Sequence, residues 1–325
     1  MSPAPRPPLA PVTLDAIRAA QARIKGLVVR TPLVRLEVEN APAELYLKLE
    51  NLQPIGSFKI RGASNKVATT DPALLKRGVY TASAGNMAQG VAWCARAAKV
   101  PCRVVVPDRA PQTKLAAIER LGATAIKLPF DEWWQTMVDH GRAGMDELFI
   151  HPFADPAVIA GNGTIGLEIL EDLPDVDVVL VPFGGGGLSC GIAAAIRALR
   201  PAARVFAIEP DTAAPLAASL AATEARTITP TPSFVDGIGG KSLFPEIFPM
   251  AKELLAGSLQ VSIPQIVEAI RLLLERARVV AEGAGAAPLA AALAHRPKAK
   301  RIVCVVSGGN IDATRLATVL QGGVP

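Results

Sequence analysis

The sequence predicts an α/β fold with two open, twisted parallel-sheet domains and flanking helices. Short apolar segments such as VDVVLVPF (176–183) alternate with longer helical segments such as GLSCGIAAAIRALR (187–200). The apolar segments are hydrophobic almost throughout, which is typical of parallel strands that helices cover on both faces. Half of the 325 residues are hydrophobic, so the chain can bury two cores of ordinary size.

The individual elements follow from local pattern. Thr13 is a predicted N-cap for a first helix that ends at Gly26. The small residues of GNMAQGVAWCARAAKV (85–100) predict a helix that packs closely against its neighbours. The predicted strands are residues 43–50, 78–83, 102–107, 123–129, 147–153, 176–183, 204–210 and 301–307. The other predicted helices are residues 57–68, 111–122, 131–144, 164–173, 187–200 and 263–279.

The order of these elements also predicts a domain division. We expect residues 76–149 to form a smaller α/β unit within a larger unit made of residues 1–75 and 150–325. No internal repeat or low-complexity linker suggests another arrangement.

Composition disfavours several classes of function. The net charge is only +5 and aromatic residues make up 4% of the chain, too few for the stacking surfaces of single-strand nucleic-acid binders. No secretory signal or apolar stretch of about 18 residues is present, so we expect a cytoplasmic protein with no membrane partner. The three histidines show no zinc-binding spacing. Four cysteines without CxxC spacing are expected to be reduced core thiols: Cys94, Cys102, Cys190 and Cys304.

Four Gly- or Ser-rich segments follow predicted strands or open predicted helices. They are GSFKIRGA (56–63), SAGNMAQG (83–90), FGGGGLS (183–189) and SGGN (307–310). In parallel sheets, ligands bind at the carboxyl ends of strands, where backbone N–H groups and helix N-termini converge. We therefore expect these segments to meet at one site.

FGGGGLS has the pattern of an anion cradle. Gly184 to Gly187 lie between an apolar strand and a helix. Without Cβ atoms, successive N–H groups can turn toward one phosphate, and the helix dipole favours negative charge there. The segment lacks the GK[ST] of a P-loop and the context of a dinucleotide fingerprint.

GSFKIRGA contributes a candidate nucleophile. Lys59 lies in the first turn of a predicted helix between the apolar residues Phe58 and Ile60. An apolar environment lowers the pKa of a lysine, which then acts as an amine nucleophile able to form a Schiff base.

The two remaining segments supply polar groups. The N–H groups of SAGNM, at a helix start, could hold a carboxylate. Ser307 of SGGN closes the last strand and projects its hydroxyl at the same edge. An amine, a phosphate cradle, a carboxylate cradle and a hydroxyl together suit a phosphorylated aldehyde cofactor and an amino-acid substrate.

In this order and spacing, the motifs resemble those of the fold type II pyridoxal-phosphate enzymes, which have a tryptophan synthase β-like fold. The resemblance is to the threonine/serine dehydratase and serine racemase family, and it extends from TPLVRL (31–36) to SGGN. It implies pyridoxal 5'-phosphate as cofactor, bound by the larger domain, while the smaller domain is mobile. It also implies a homodimer or higher homo-oligomer.

The resemblance assigns roles to individual residues. Lys59 is implied to be the catalytic residue that carries the cofactor, with Phe58 against the ring. The other implied cofactor-binding residues are Asn86 at the phenolic oxygen, Ser307 at the ring nitrogen, and Gly184, Gly185, Gly186, Gly187 and Leu188 at the phosphate. The implied substrate-binding residues are Ser83, Ala84, Gly85, Asn86 and Met87. Glu282 matches a glutamate near the ring in relatives.

Some positions depart from the family pattern. Met87 stands where relatives usually have His, which favours a more apolar substrate, and Asn162 stands where they have Gln. Relatives bind a divalent cation near Glu209 and the carbonyl of Ala213, but Pro215 stands where the second carboxylate would be. We therefore expect no metal site. Because the chain ends shortly after SGGN, we also expect no C-terminal regulatory domain.

The expected activity is dehydration and deamination of a β-hydroxy-α-amino acid of the L-threonine or L-serine type. Three alternatives remain: an aryl substrate such as phenylserine, which Met87, Gly239 and Gly240 favour; an amino-acid racemase; and a protein that only binds the cofactor. Hydroxyaspartate is disfavoured because the motifs contain no additional basic side chain. Ala84 disfavours racemisation, since the serine racemase pattern has a serine there as a second acid–base group.

Overall fold

The computed structural model describes residues 6–325, which contain ten strands and thirteen α-helices. The strands are β1 (Leu33–Leu36), β2 (Glu44–Leu49), β3 (Val79–Ala82), β4 (Cys102–Pro107), β5 (Thr124–Leu128), β6 (Leu148–Phe149), β7 (Val178–Pro182), β8 (Arg204–Pro210), β9 (Ser258–Val261) and β10 (Arg301–Val306). The helices are α1 (Leu14–Ile24), α2 (Lys59–Thr69), α3 (Pro72–Leu75), α4 (Asn86–Ala98), α5 (Gln112–Arg120), α6 (Phe130–Val138), α7 (Pro156–Asp172), α8 (Gly187–Leu199), α9 (Pro215–Ala222), α10 (Phe248–Leu254), α11 (Ile263–Ala277), α12 (Gly283–His295) and α13 (Ala313–Leu320).

The strands form two sheets. The larger has six strands in the order β1-β2-β10-β7-β8-β9, and all its pairings are parallel except that of β1 with β2. The smaller has four parallel strands in the order β5-β4-β3-β6. The predicted α/β fold class is confirmed, with one antiparallel edge strand that the sequence did not predict.

The smaller sheet uses only strands from residues 79–149, whereas the larger uses strands on both sides of that segment. This arrangement supports the division at residues 76–149. The division itself and the mobility of the smaller unit stay predictions.

Several elements differ from expectation. The helix predicted at 164–173 begins at Pro156, because the Asp155 carboxylate accepts hydrogen bonds from the N–H groups of Ala157 and Val158. The helix predicted at 131–144 ends at Val138, and the strand predicted at 147–153 is only Leu148–Phe149. Helix α12 was not predicted, because an alanine-rich helix that is buried nearly all round shows no amphipathic period.

A buried cluster of charges fixes α2, which carries Lys59. The guanidinium of Arg61 donates to both oxygens of Glu50, at 2.8 Å each, and to Glu168 of α7 at 2.7 Å. Lys48 of β2 donates to the same Glu168 at 2.6 Å. Breaking a buried pair costs about 3–5 kcal/mol, so α2 is held firmly against α7 and β2.

The four cysteines are free and buried, as predicted for core thiols. Among residues 6–325, the structure has no helix with the length and apolar character needed to cross a membrane.

Candidate active site

A cavity of about 500 Å³ opens at the carboxyl ends of β3, β4 and β7. Every residue predicted for the cofactor or the substrate lines it. These residues are Phe58, Lys59, Ser83, Ala84, Gly85, Asn86, Met87, Gly184, Gly185, Gly186, Gly187, Leu188 and Ser307. The structure thus brings segments from both ends of the chain to one place, as expected for parallel sheets.

Lys59 is the first residue of α2, and its side chain lies within this cavity. Its Nζ donates a hydrogen bond to the carbonyl of Pro152 at 2.7 Å and lies 5.2 Å from the centre of the Phe58 ring. Burial lowers the pKa of Lys59 to about 8, against the raising effect of the nearby Glu282 carboxylate. At pH 7 about a tenth of such amines are deprotonated and able to act as a nucleophile or base.

The tetraglycine segment, Gly184 to Gly187, connects β7 to α8 in a conformation that requires glycine. Gly186 has φ of +90°, which L-residues with side chains rarely adopt. A Cβ on Gly185 would lie 2.2 Å from Cγ of Phe153. A Cβ on Gly187 would lie 2.7 Å from the carbonyl oxygen of Phe153. No side chain caps α8 at Gly186, so the N-terminal amides can bind an anion.

The SAGN segment forms a second uncapped helix start. Helix α4 begins at Asn86. Its N-cap residue is Gly85, which has no side chain to cap the first amides of the helix. The Ser83 hydroxyl accepts a hydrogen bond from the Gly85 N–H at 3.2 Å. The amides at the start of α4 can therefore hold a carboxylate.

Asn86 is oriented by a network of polar side chains. Its Nδ2 donates to Oε1 of Glu282 at 2.8 Å, and its Oδ1 accepts from Nδ2 of Asn310 at 2.7 Å. Because an amide nitrogen carries two hydrogens, Asn86 retains one for a ligand. Burial and the nearby charge of Asp236 together raise the pKa of Glu282 to about 7.

Other residues of the cavity wall were not predicted. Pro152 and Phe153 follow β6, so their position after a strand could have indicated them. Trp133 and Met137 of α6 and Arg109 and Lys114 after β4 also line the cavity. Arg109 and Lys114 are thus basic side chains at the cavity that lie outside the sequence motifs, and Lys114 pairs with Asp236 at 2.6 Å.

Comparison with known proteins gives the family. Residues 24–308 match the family described as pyridoxal-phosphate dependent enzyme. The chain belongs to this family. An L-threonine ammonia-lyase of Thermotoga maritima is 43% identical over 96% of this chain and 79% of its own length.

Solved structures of this pyridoxal-phosphate dependent family have the same fold. The processed form of threonine deaminase isoform 2 from Solanum lycopersicum is similar with a TM-score of 0.83 and 30% identity, over 99% of this chain and 99% of its own. A serine racemase from Dictyostelium discoideum has a TM-score of 0.85 and 36% identity, over 93% of this chain and all of its own.

The family's cofactor, pyridoxal 5'-phosphate, fits the cavity. The uncapped amides at the start of α8 suit its phosphate, and the desolvated amine of Lys59 suits its aldehyde. Ser307 is 2% exposed and lines the cavity, where its hydroxyl suits a ring nitrogen. These individual assignments remain predictions.

The divalent-cation site that the resemblance implies does not fit the residues of this chain. Both oxygens of the Glu209 carboxylate are already used: Oε1 accepts from the Leu216 N–H at 2.8 Å, and Oε2 from the Ala217 N–H at 2.9 Å and the Ser258 hydroxyl at 2.6 Å. The start of α9 thus occupies the carboxylate that a cation would need.

Chelation is therefore expected to have no effect. Incubation of the holoenzyme with excess EDTA should leave turnover and melting temperature unchanged, because the amides of α9 and the Ser258 hydroxyl hold Glu209 in place. If EDTA lowered turnover or melting temperature and added Mg²⁺ restored it, other oxygen ligands must complete a cation site.

Proposed function

We propose that this protein is an ammonia-lyase that converts a β-hydroxy-α-amino acid of the L-threonine or L-serine type into a 2-oxo acid and ammonia. The observation that carries the proposal is the desolvated Lys59 amine between two uncapped helix starts, one suited to phosphate and one to a carboxylate. The names of relatives such as the L-threonine ammonia-lyase support the same reaction.

Residues of this chain bind the substrate and transfer protons in this reaction. When bound, the cofactor supplies an electron sink for the negative charge that develops at the substrate α-carbon. The amides at the start of α4 hold the substrate carboxylate, so that the α-carbon lies near Lys59. The free amine of Lys59 accepts the α-proton, which its lowered pKa favours near neutral pH.

The β-hydroxyl must leave as water, because hydroxide is a poor leaving group. Two titratable groups of the cavity can hold the required proton: Lys59 after it has accepted the α-proton, and Glu282. The pKa of Glu282 is raised to about 7, so the carboxyl is partly protonated at neutral pH. Hydrolysis of the eliminated product then gives the 2-oxo acid and ammonia.

Racemisation is the main alternative activity, and Ala84 opposes it. Inversion at the α-carbon needs a proton donor on the face opposite Lys59. Ala84 lines the cavity within the carboxylate-binding segment and offers only a methyl group. The hydroxyl of the neighbouring Ser83 accepts a hydrogen bond from the Gly85 N–H.

Incubation with L-threonine in deuterated water tests lyase against racemase. We expect equal amounts of 2-oxobutanoate and ammonia, and recovered threonine without inversion at the α-carbon. Ala84→Ser should increase the α-inverted, deuterated fraction. Abundant inverted threonine from the wild type would contradict the proposal, and a protein that only binds the cofactor would form neither product.

A cytoplasmic location and a homodimeric or higher homo-oligomeric state are further proposals. Exposed apolar side chains at Leu27, Val29, Leu52 and Val280 support association between copies of the chain. Gel filtration with light scattering would measure the oligomeric state.

A further inference from the structure

We infer that the substrate carries an apolar group larger than methyl on its β-carbon, and that Gly240 and Trp133 determine this specificity. The inference rests on the proposed function and concerns the apolar part of the cavity wall. This wall consists of Met87, Trp133, Met137, Phe153, Gly239 and Gly240, and we call it the β-pocket.

Contacts between α6 and the segment 236–242 build the β-pocket. The Trp133 ring lies 5.4 Å from that of Phe130 and 6.2 Å from that of Trp134. The ammonium of Lys241 lies over both of those neighbouring rings, 5.3 Å from Phe130 and 4.9 Å from Trp134. Because Lys241 directly follows Gly240, these cation–π contacts hold Gly240 beside the aromatic wall.

The other side of the β-pocket is fixed by His151. Its Nε2 hydrogen-bonds the carbonyl of Met137 at 3.2 Å, and its Nδ1 accepts from the N–H groups of Phe153 and Ala154. Phe153 also packs edge-on against Phe244, with ring centres 5.0 Å apart. The aromatic lining is therefore rigid and lies directly beside Pro152, whose carbonyl accepts from Lys59.

Gly240 leaves this pocket open. A Cβ built on Gly240 would meet no atom within 4 Å, and its φ lies outside the left-handed range. Neither backbone strain nor packing requires glycine there, in contrast to Gly185. The missing side chain thus leaves room for a substrate group, and the surrounding side chains favour an apolar or aryl one.

A substrate with a second carboxylate is the competing class, because Arg109 also lines the cavity. Arg109 is exposed, and among residues 6–325 it forms no ion pair. An exposed guanidinium contributes little binding energy, whereas in the β-pocket Met87 and Met137 are buried and Trp133 and Phe153 are half-buried. The observations therefore favour the apolar class.

Ratios of kcat/KM between substrates test the inference. For the wild type we expect threo-3-phenylserine to exceed L-threonine by about 10-fold or more, the scale of an apolar group filling a matched pocket. Gly240→Leu should lower the phenylserine-to-threonine ratio by about 100-fold, since its side chain fills the β-pocket. Gly240→Ala should lower it less. Melting temperatures would show that both variants fold.

Thr231→Leu is the matched control, because Thr231 is exposed in the same long segment and outside the cavity lining. Its phenylserine-to-threonine ratio should equal that of the wild type. A preference of the wild type for threonine, an unchanged ratio in Gly240→Leu, or 3-hydroxyaspartate as the best substrate would overturn the inference while leaving the lyase proposal intact. Absence of 2-oxo acid from all three substrates would contradict both.

Discussion

Lys59→Ala is expected to reduce turnover of L-threonine by about 10⁴-fold, the upper end of the range for a lost general base. The variant loses the only lysine amine placed in the cavity without a carboxylate partner, since Lys114, the other cavity lysine among residues 6–325, pairs with Asp236. Alanine keeps the start of α2, and the charge cluster around Arg61 is untouched. Steady-state assay of 2-oxo acid at several pH values would measure the loss.

Lys66→Ala provides the control for this variant. Lys66 lies on the same helix but pairs with Asp155 outside the cavity, at 2.8 Å. It should retain near-normal turnover, because neither Lys66 nor Asp155 lines the cavity. Comparable activity in the Lys59 and Lys66 variants would contradict the assignment of Lys59.

Gly185→Asp is expected to weaken cofactor binding by at least about 100-fold. Its Cβ would lie 2.2 Å from Cγ of Phe153, so the segment must shift, and its carboxylate would repel a phosphate. Titration of the apoprotein with pyridoxal 5'-phosphate, followed by absorbance, would measure the dissociation constant.

Gly185→Asn separates the effect of the added side-chain volume from the effect of the added charge. It adds nearly the same volume without the charge, so it should bind the cofactor more weakly than wild type but more tightly than Gly185→Asp. Equal affinity of the two variants would show that the segment does not bind an anion. Wild-type affinity in both would mean that the segment is only a turn.

The part of the site that the sequence predicts is the part made by local backbone. Lys59 and the SAGN and tetraglycine segments each follow a strand or open a helix. Their chemistry depends on residues that are adjacent in the chain, and the topology of a parallel sheet then brings them together.

The opposite wall depends on contacts between distant segments, which local pattern does not reveal. Trp133 has the pattern of an ordinary helix residue, and its role becomes visible only where Lys241 contacts the neighbouring rings of Phe130 and Trp134. The same holds for Glu209: the sequence indicated a cation site without its second carboxylate, because Pro215 stands there, whereas the structure shows the Glu209 carboxylate bound to the start of α9. Buried helices such as α12 were missed because uniform burial removes the amphipathic period.

Borohydride reduction of the holoenzyme, followed by peptide mapping, tests the central claim most directly. The claim is that the desolvated amine of Lys59 holds the cofactor at the edge of the two sheets. We predict a single pyridoxyl-modified peptide, with the modification on Lys59. Modification of Lys114 or another lysine, with Lys59 unmodified, would contradict the account.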